Sequence, residues 1–149
     1  MREDILKALG PCGLNCEKCF AHENGEIRKY SLKLIEKLGN FDFYAKRFES
    51  LLDNPIFKKY PDFKIMLEYL ASENCKGCRK ENCKLFKDCG VRNCHQQRKI
   101  DFCFQCNDFP CKNTNFDSAL DKRWIKLNNR IREIGLEKYY AETKDKPRY

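Results

Sequence analysis

Three cysteine pairs separated by two residues, Cys16-Glu-Lys-Cys19, Cys75-Lys-Gly-Cys78 and Cys103-Phe-Gln-Cys106, are the places where this chain could do chemistry. Two sulfurs at that spacing can turn toward one ion at the separation a tetrahedral thiolate site needs. They belong to a larger set. Eleven of the 149 residues are cysteine. Cys12, Cys16 and Cys19 lie near the start, and Cys75, Cys78, Cys83, Cys89, Cys94, Cys103, Cys106 and Cys111 fall in one later stretch.

Disulfides in an oxidising compartment and thiolate–metal sites in a reducing one compete to explain such a chain. The N-terminus, Met1-Arg2-Glu3-Asp4-Ile5-Leu6-Lys7-Ala8, carries acids where a signal peptide needs a basic start and an apolar run. No stretch approaches the roughly 18 apolar residues of a membrane span. A cytoplasmic protein with reduced thiols is expected, and an odd cysteine count leaves one unpaired in any disulfide scheme. Metal is therefore the reading of all eleven cysteines.

In sequence order, Cys75, Cys78, Cys83 and Cys89 make one four-thiolate site and Cys94, Cys103, Cys106 and Cys111 a second. Cys12, Cys16 and Cys19 then need a fourth ligand, and His22 lies three residues on. Pairs from distant segments can also interleave, so the N-terminal cluster can borrow a ligand from the later one and staple the two together. Two ions and three both fit the count. His22 and His95 are the only histidines, and a lone histidine is more often a surface residue than a ligand.

Zinc is the expected metal, since it favours closed four-coordinate thiolate sites in structural roles. An iron–sulfur cluster is the alternative, with the same ligands, although both common ferredoxin spacings are absent. Gly77 and Gly90 beside ligand cysteines suit tight knuckle turns. The run Cys12-Gly-Leu-Asn-Cys16-Glu-Lys-Cys19 has the C-x3-C-x2-C spacing of radical S-adenosylmethionine enzymes. The chain is too short and too helical for the partial barrel such enzymes need.

The elements that must position these residues read as helices. Ile27, Leu34, Ile35 and Leu38 share one face before Gly39-Asn40. Phe41, Tyr44, Phe48, Leu51 and Leu52 form a second stripe, broken at Asp53-Asn54-Pro55. Pro61 opens a third segment carrying Phe63, Met66, Leu67 and Leu70, and Leu120, Trp124, Leu127, Ile131 and Ile134 form a long stripe ending at Gly135. A short helix through Leu136, Tyr139 and Tyr140 precedes a tail, Lys144 to Tyr149, expected to fray. No period-2 strand stands out. The expected fold is mainly α: one domain over 1–149, with a small irregular zinc-knuckle-like region packed on a helical bundle. The N-terminal cysteine cluster spans 11–22, a helical segment 26–72, the second cluster 75–111 and the last helices 117–143.

The formal charge of +8 invites a nucleic-acid reading. Eleven thiolates and three divalent zinc ions would together remove five of those charges. The basic residues are dispersed among acids, as at Glu26, Glu36, Asp62 and Glu133, in the manner of solvated helix faces. Nucleic acid is a lesser alternative. Closed four-cysteine sites leave no open coordination position, and no HExxH, phosphate loop or nucleophile elbow is present, so an enzyme is not the expected reading. The expected role is that of a metal-binding structural or interaction module for another protein. Electron transfer or redox sensing through iron–sulfur is the alternative.

The run Pro11-Cys12-Gly-Leu-Asn-Cys16-Glu-Lys-Cys19, then Cys75-Lys-Gly-Cys78, Cys89-Gly-Val-Arg-Asn-Cys94 and Cys103-Phe-Gln-Cys106-Asn-Asp-Phe-Pro-Cys111, resembles the cysteine-rich bacterial and archaeal family catalogued as domain of unknown function 3795. The resemblance extends over roughly residues 11 to 140. It implies a prokaryotic cytosolic protein that binds metal, mostly zinc, with no established reaction.

Overall fold

An apolar repeat near 3.6 residues recurs along most of the chain, and helices result. The computed structural model describes residues 1–149. Its α-helices are α1 (Arg2–Ala8), α2 (Glu26–Leu38), α3 (Phe41–Leu51), α4 (Tyr60–Ser72), α5 (Val91–Arg98), α6 (Ser118–Ile134) and α7 (Leu136–Thr143). Two 3-10 turns, Pro55–Lys59 and Cys103–Gln105, complete the regular structure. There is no strand, only an antiparallel bridge between Leu9 and Asn15 and a parallel one between His22 and Cys75.

Helix α6 is the spine. The Asp117 side chain caps it, accepting from Ala119 N at 2.9 Å and Leu120 N at 3.1 Å, and the helix stops at Gly135. Its stripe of Leu120, Trp124, Leu127 and Ile131 is buried against Cys12, Leu14, Val91 and Phe109. A smaller cluster of Ile5, Leu9 and Phe102 packs beside it. The core is thus built from α6 and the apolar residues of the two cysteine segments themselves.

The segment 26–72 departs from expectation. Its three helices form as the periodicity requires, and α2 packs on α4 while α3 packs on the 3-10 turn. The apolar stripes remain largely open to solvent, however. Phe63, Met66, Tyr44, Leu51 and Leu52 are exposed, and only Ser31, Ala45, Tyr60, Leu67 and Ala71 are buried. The segment is an arm of short helices packed on one another, not a bundle that carries the cysteine region. The tail also differs. Arg148 donates to Asn15 O, Lys18 Nζ to Lys146 O, and Arg123 Nη2 to Arg148 O at 2.6 Å, so 146–149 lie down over the N-terminal turn.

Candidate metal centres

The N-terminal cysteines are set by a tight turn after α1. Gly10 N donates to Leu14 O at 2.8 Å, Gly13 N to Gly10 O at 2.9 Å, and Cys16 N back to Ala8 O at 2.7 Å. Both Cys12 and Cys16 turn toward Gly10, where a Cβ would meet Cys16 Sγ at 3.1 Å and Cys12 Sγ at 3.6 Å. From there the two sulfurs serve different neighbourhoods. Cys12 belongs to the α6 core, and its carbonyl accepts from Asn128 Nδ2 at 2.9 Å. Burial, the adjacent Cys16 adding to it, pushes its thiol well above the ordinary range.

Cys16 meets the second cysteine segment. Cys75 N donates to Ala21 O at 2.8 Å and Glu23 N to Cys75 O at 2.9 Å, which lays residue 75 alongside residue 22. Gly77 then turns with φ of +91°, a conformation glycine adopts without strain. This puts Cys78 between Cys16 and Cys83. The Cys78 thiol lies near both sulfurs, and sharing of a proton among the three lowers Cys16 and Cys83 to about 6 while Cys78 rises. Phe86 N adds to this by donating to Cys83 Sγ at 3.4 Å; Gly77 N donates to Cys75 Sγ at the same distance, but burial still raises the Cys75 thiol. Cys16 and Cys78 border an open cleft of about 410 Å3, with His22, Lys7, Lys76 and Lys80 also on its lining.

The second neighbourhood is far narrower. Gly90 N donates to Thr114 O at 3.1 Å, which fixes the start of α5 against the loop after Cys111. Gln105 Oε1 accepts from Asp101 N and Phe102 N, each at 2.9 Å, and shapes the 3-10 turn that presents Cys103 and Cys106. Arg132 of α6 reaches across to donate to Phe104 O at 2.7 Å and Cys106 O at 3.0 Å, its guanidinium 4.6 Å from the centre of the Phe109 ring. Between the elements so placed lies a cavity of about 20 Å3, lined by Cys94, Cys103, Cys106 and Cys111, with Trp124 and Phe109 among its walls. Burial pushes the Cys103 thiol up to about 12, although the indole of Trp124 is beside it. Arg98 Nη1 donates to Cys106 Sγ at 3.4 Å and pairs with Asp108 at 2.6 Å.

The grouping therefore differs in part from sequence order. Cys94, Cys103, Cys106 and Cys111 surround one cavity. Cys78 and Cys83 join Cys16, whereas Cys89 goes with the start of α5 and packs against the α6 core near Cys12. Cys19 lies beside the tail, 3.8 Å from Tyr149 Oη, while Cys12 and Cys16 keep their sulfurs near one point at Gly10. His22 lies beside the trio, its Nδ1 accepting from Asn24 N at 3.3 Å. As the side chains stand, no three histidine, cysteine, aspartate or glutamate side chains converge tightly enough to hold an ion. The residues that sequence spacing does not announce are Asn128, Trp124 and Arg132, each from α6. Their only signal is their place on the helix stripe or beside it.

The family described as "Protein of unknown function (DUF3795)" matches residues 8–116, and the chain belongs to it. The match takes in both cysteine segments and the arm between them. No curated protein and no solved structure matches the chain.

Proposed function

We propose that this DUF3795 protein is a metal-held interaction module, with zinc as its metal. The observation that carries the reading is the cavity of about 20 Å3 lined by Cys94, Cys103, Cys106 and Cys111. The donor set fits the group. Thiolates are zinc's preferred soft ligands, and closed all-protein coordination is the pattern of structural zinc. Arg98 donates to Cys106 Sγ and the indole of Trp124 stands beside Cys103, outer-shell neighbours of the kind that orient metal ligands. Cys16, Cys78 and Cys83, with Cys75 in the adjoining turn, are the residues that would hold a second ion. Bound zinc would add cross-links within and between the cysteine segments, at roughly 10–16 kcal/mol of apparent binding free energy per structural ion.

The arm supports the interaction half. Phe43, Ile65 and Met66 are 59%, 66% and 59% exposed, beside exposed Tyr30, Tyr44 and Tyr69. Large apolar side chains left exposed in one segment suit a contact site, and mixed-sign charges among them, such as the Lys64–Asp42 pair, suit a protein partner.

The test is elemental analysis with a visible spectrum on protein purified without oxygen. Two zinc per chain and no colour are expected. Iron with acid-labile sulfide would overturn zinc and make this a redox protein. A photo-crosslinker in place of Ile65 should give discrete protein adducts in cells; adducts with nucleic acid alone would overturn the partner class.

A further inference from the structure

The cavity beside α5 has one donor more than a tetrahedral ion can use. His95 lines it with the four cysteines. Its Nδ1 lies 3.0 Å from Ile100 O, and a carbonyl oxygen can only accept, so Nδ1 carries the proton of the neutral ring. Nε2 is left as a bare lone pair. It is buried and has no hydrogen-bond partner anywhere in the protein. A metal-ligating histidine takes this form: one ring N–H is donated to a backbone carbonyl, which fixes the tautomer and aims the other nitrogen at the ion.

We infer, as a deepening of the zinc reading above, that His95 Nε2 is a ligand of the C-terminal ion, which completes a Cys3His set with Cys103, Cys106 and Cys111, and that Cys94 is the spare donor. The choice between neighbours follows from two physical facts. Consecutive residues on a helix point about 100° apart, so Cys94 and His95 are poorly placed to share one small ion. Of the two, only the imidazole is expensive to leave out. A buried nitrogen without a partner costs about 1–3 kcal/mol, whereas a free buried thiol behaves as a small apolar group. The Ile100 carbonyl has therefore already fixed the tautomer of the donor whose exclusion costs more.

The experiment uses the full chain loaded with zinc and reads the histidine ring nitrogens by long-range proton–nitrogen correlation. The chain has only two imidazoles, and His22 accepts at Nδ1 from Asn24 N–H, which places its neutral proton on the opposite nitrogen. One ring is expected as the Nδ1–H tautomer, with Nε2 at a metal-bound shift that does not titrate between pH 6 and pH 8. Elemental analysis should show one zinc equivalent lost in His95→Ala and none lost in Cys94→Ser. If the wild type carries zinc but the His95 ring titrates freely, or His95→Ala keeps its full complement, this assignment is overturned and the zinc reading stands. If the wild type binds no zinc, both fall. The spectrum of the wild type decides the matter even if His95→Ala does not fold.

Discussion

Replacing Asn128 tests whether α6 holds the N-terminal cysteine turn in the way the geometry says. Asn128 is fully buried, and its Nδ2 donates to Cys12 O and Trp124 O, each at 2.9 Å. In Asn128→Ala, Trp124 O keeps its helical partner, but Cys12 O is left bare, at about 1–3 kcal/mol. Against this, Asn128 Oδ1 has no partner itself, so removing it recovers a comparable amount. These two contributions nearly cancel. What remains is the net worth of the bond to Cys12, about 1 kcal/mol. A cavity of roughly 40 Å3 adds about 1 kcal/mol at the usual slope per unit volume. The expected loss is about 2 kcal/mol, or roughly 4–8 °C in Tm for a chain of this size. Asn128→Asp keeps the volume but turns a carboxylate toward two carbonyl oxygens and should cost more, about 3–5 kcal/mol. Thermal unfolding in saturating zinc, so that metal loss does not mask the effect, reads both variants. A loss under about 0.5 kcal/mol in Asn128→Ala, or Asp tolerated better than Ala, would refute the claim that this amide carries the join.

Gly90→Ala should destabilise by about 1–3 kcal/mol, because a Cβ there would sit 2.0 Å from Asn113 O; unchanged thermal stability would mean that the start of α5 is not pressed on that loop. Arg132→Ala removes both donors to the carbonyls of Phe104 and Cys106 and should weaken zinc retention roughly 10–100-fold in chelator competition, as loss of an outer-shell support does; unaltered retention would count against it. Trp124 is the single tryptophan and walls the cavity, so its fluorescence should change as zinc enters. Cys103→Ser should abolish that response and Cys78→Ser should leave it. Chelation should expose 75–111 to hydrogen exchange before the cysteine-free arm at 26–72, and full protection of 75–111 without metal would overturn the structural role of the ions.

What could be read from the chain, and what could not, divides by the range of the interaction. Helix periodicity and stops are local, and α2, α3, α4, α6 and α7 fall where Gly39, Pro55, Pro61 and Gly135 bound the apolar stripes. Cysteine spacing is local too, so the group from Cys94 to Cys111 was legible: one short helix and one 3-10 turn close it within eighteen residues. That the N-terminal cluster could join the later one was an open alternative in the spacing, but which cysteines meet, Cys16 with Cys78 and Cys83, was not legible. It depends on the bridge between His22 and Cys75, which is made by backbone atoms that every residue possesses and that no side-chain pattern announces. The stripes of the arm misled for a related reason. Periodicity says that a helix has an apolar face, not that the same chain covers it, and Phe63 and Met66 satisfy the pattern while facing solvent. His95 is the sharpest case. Beside Cys94 in sequence it looks like a helix-surface residue, and only the carbonyl of Ile100, brought round by the end of α5 where Lys99 turns left-handed, fixes its proton on Nδ1 and strips Nε2 of any other use. A residue's chemistry there is decided by a neighbour's backbone, so spacing finds the sulfurs while the fold selects among the donors.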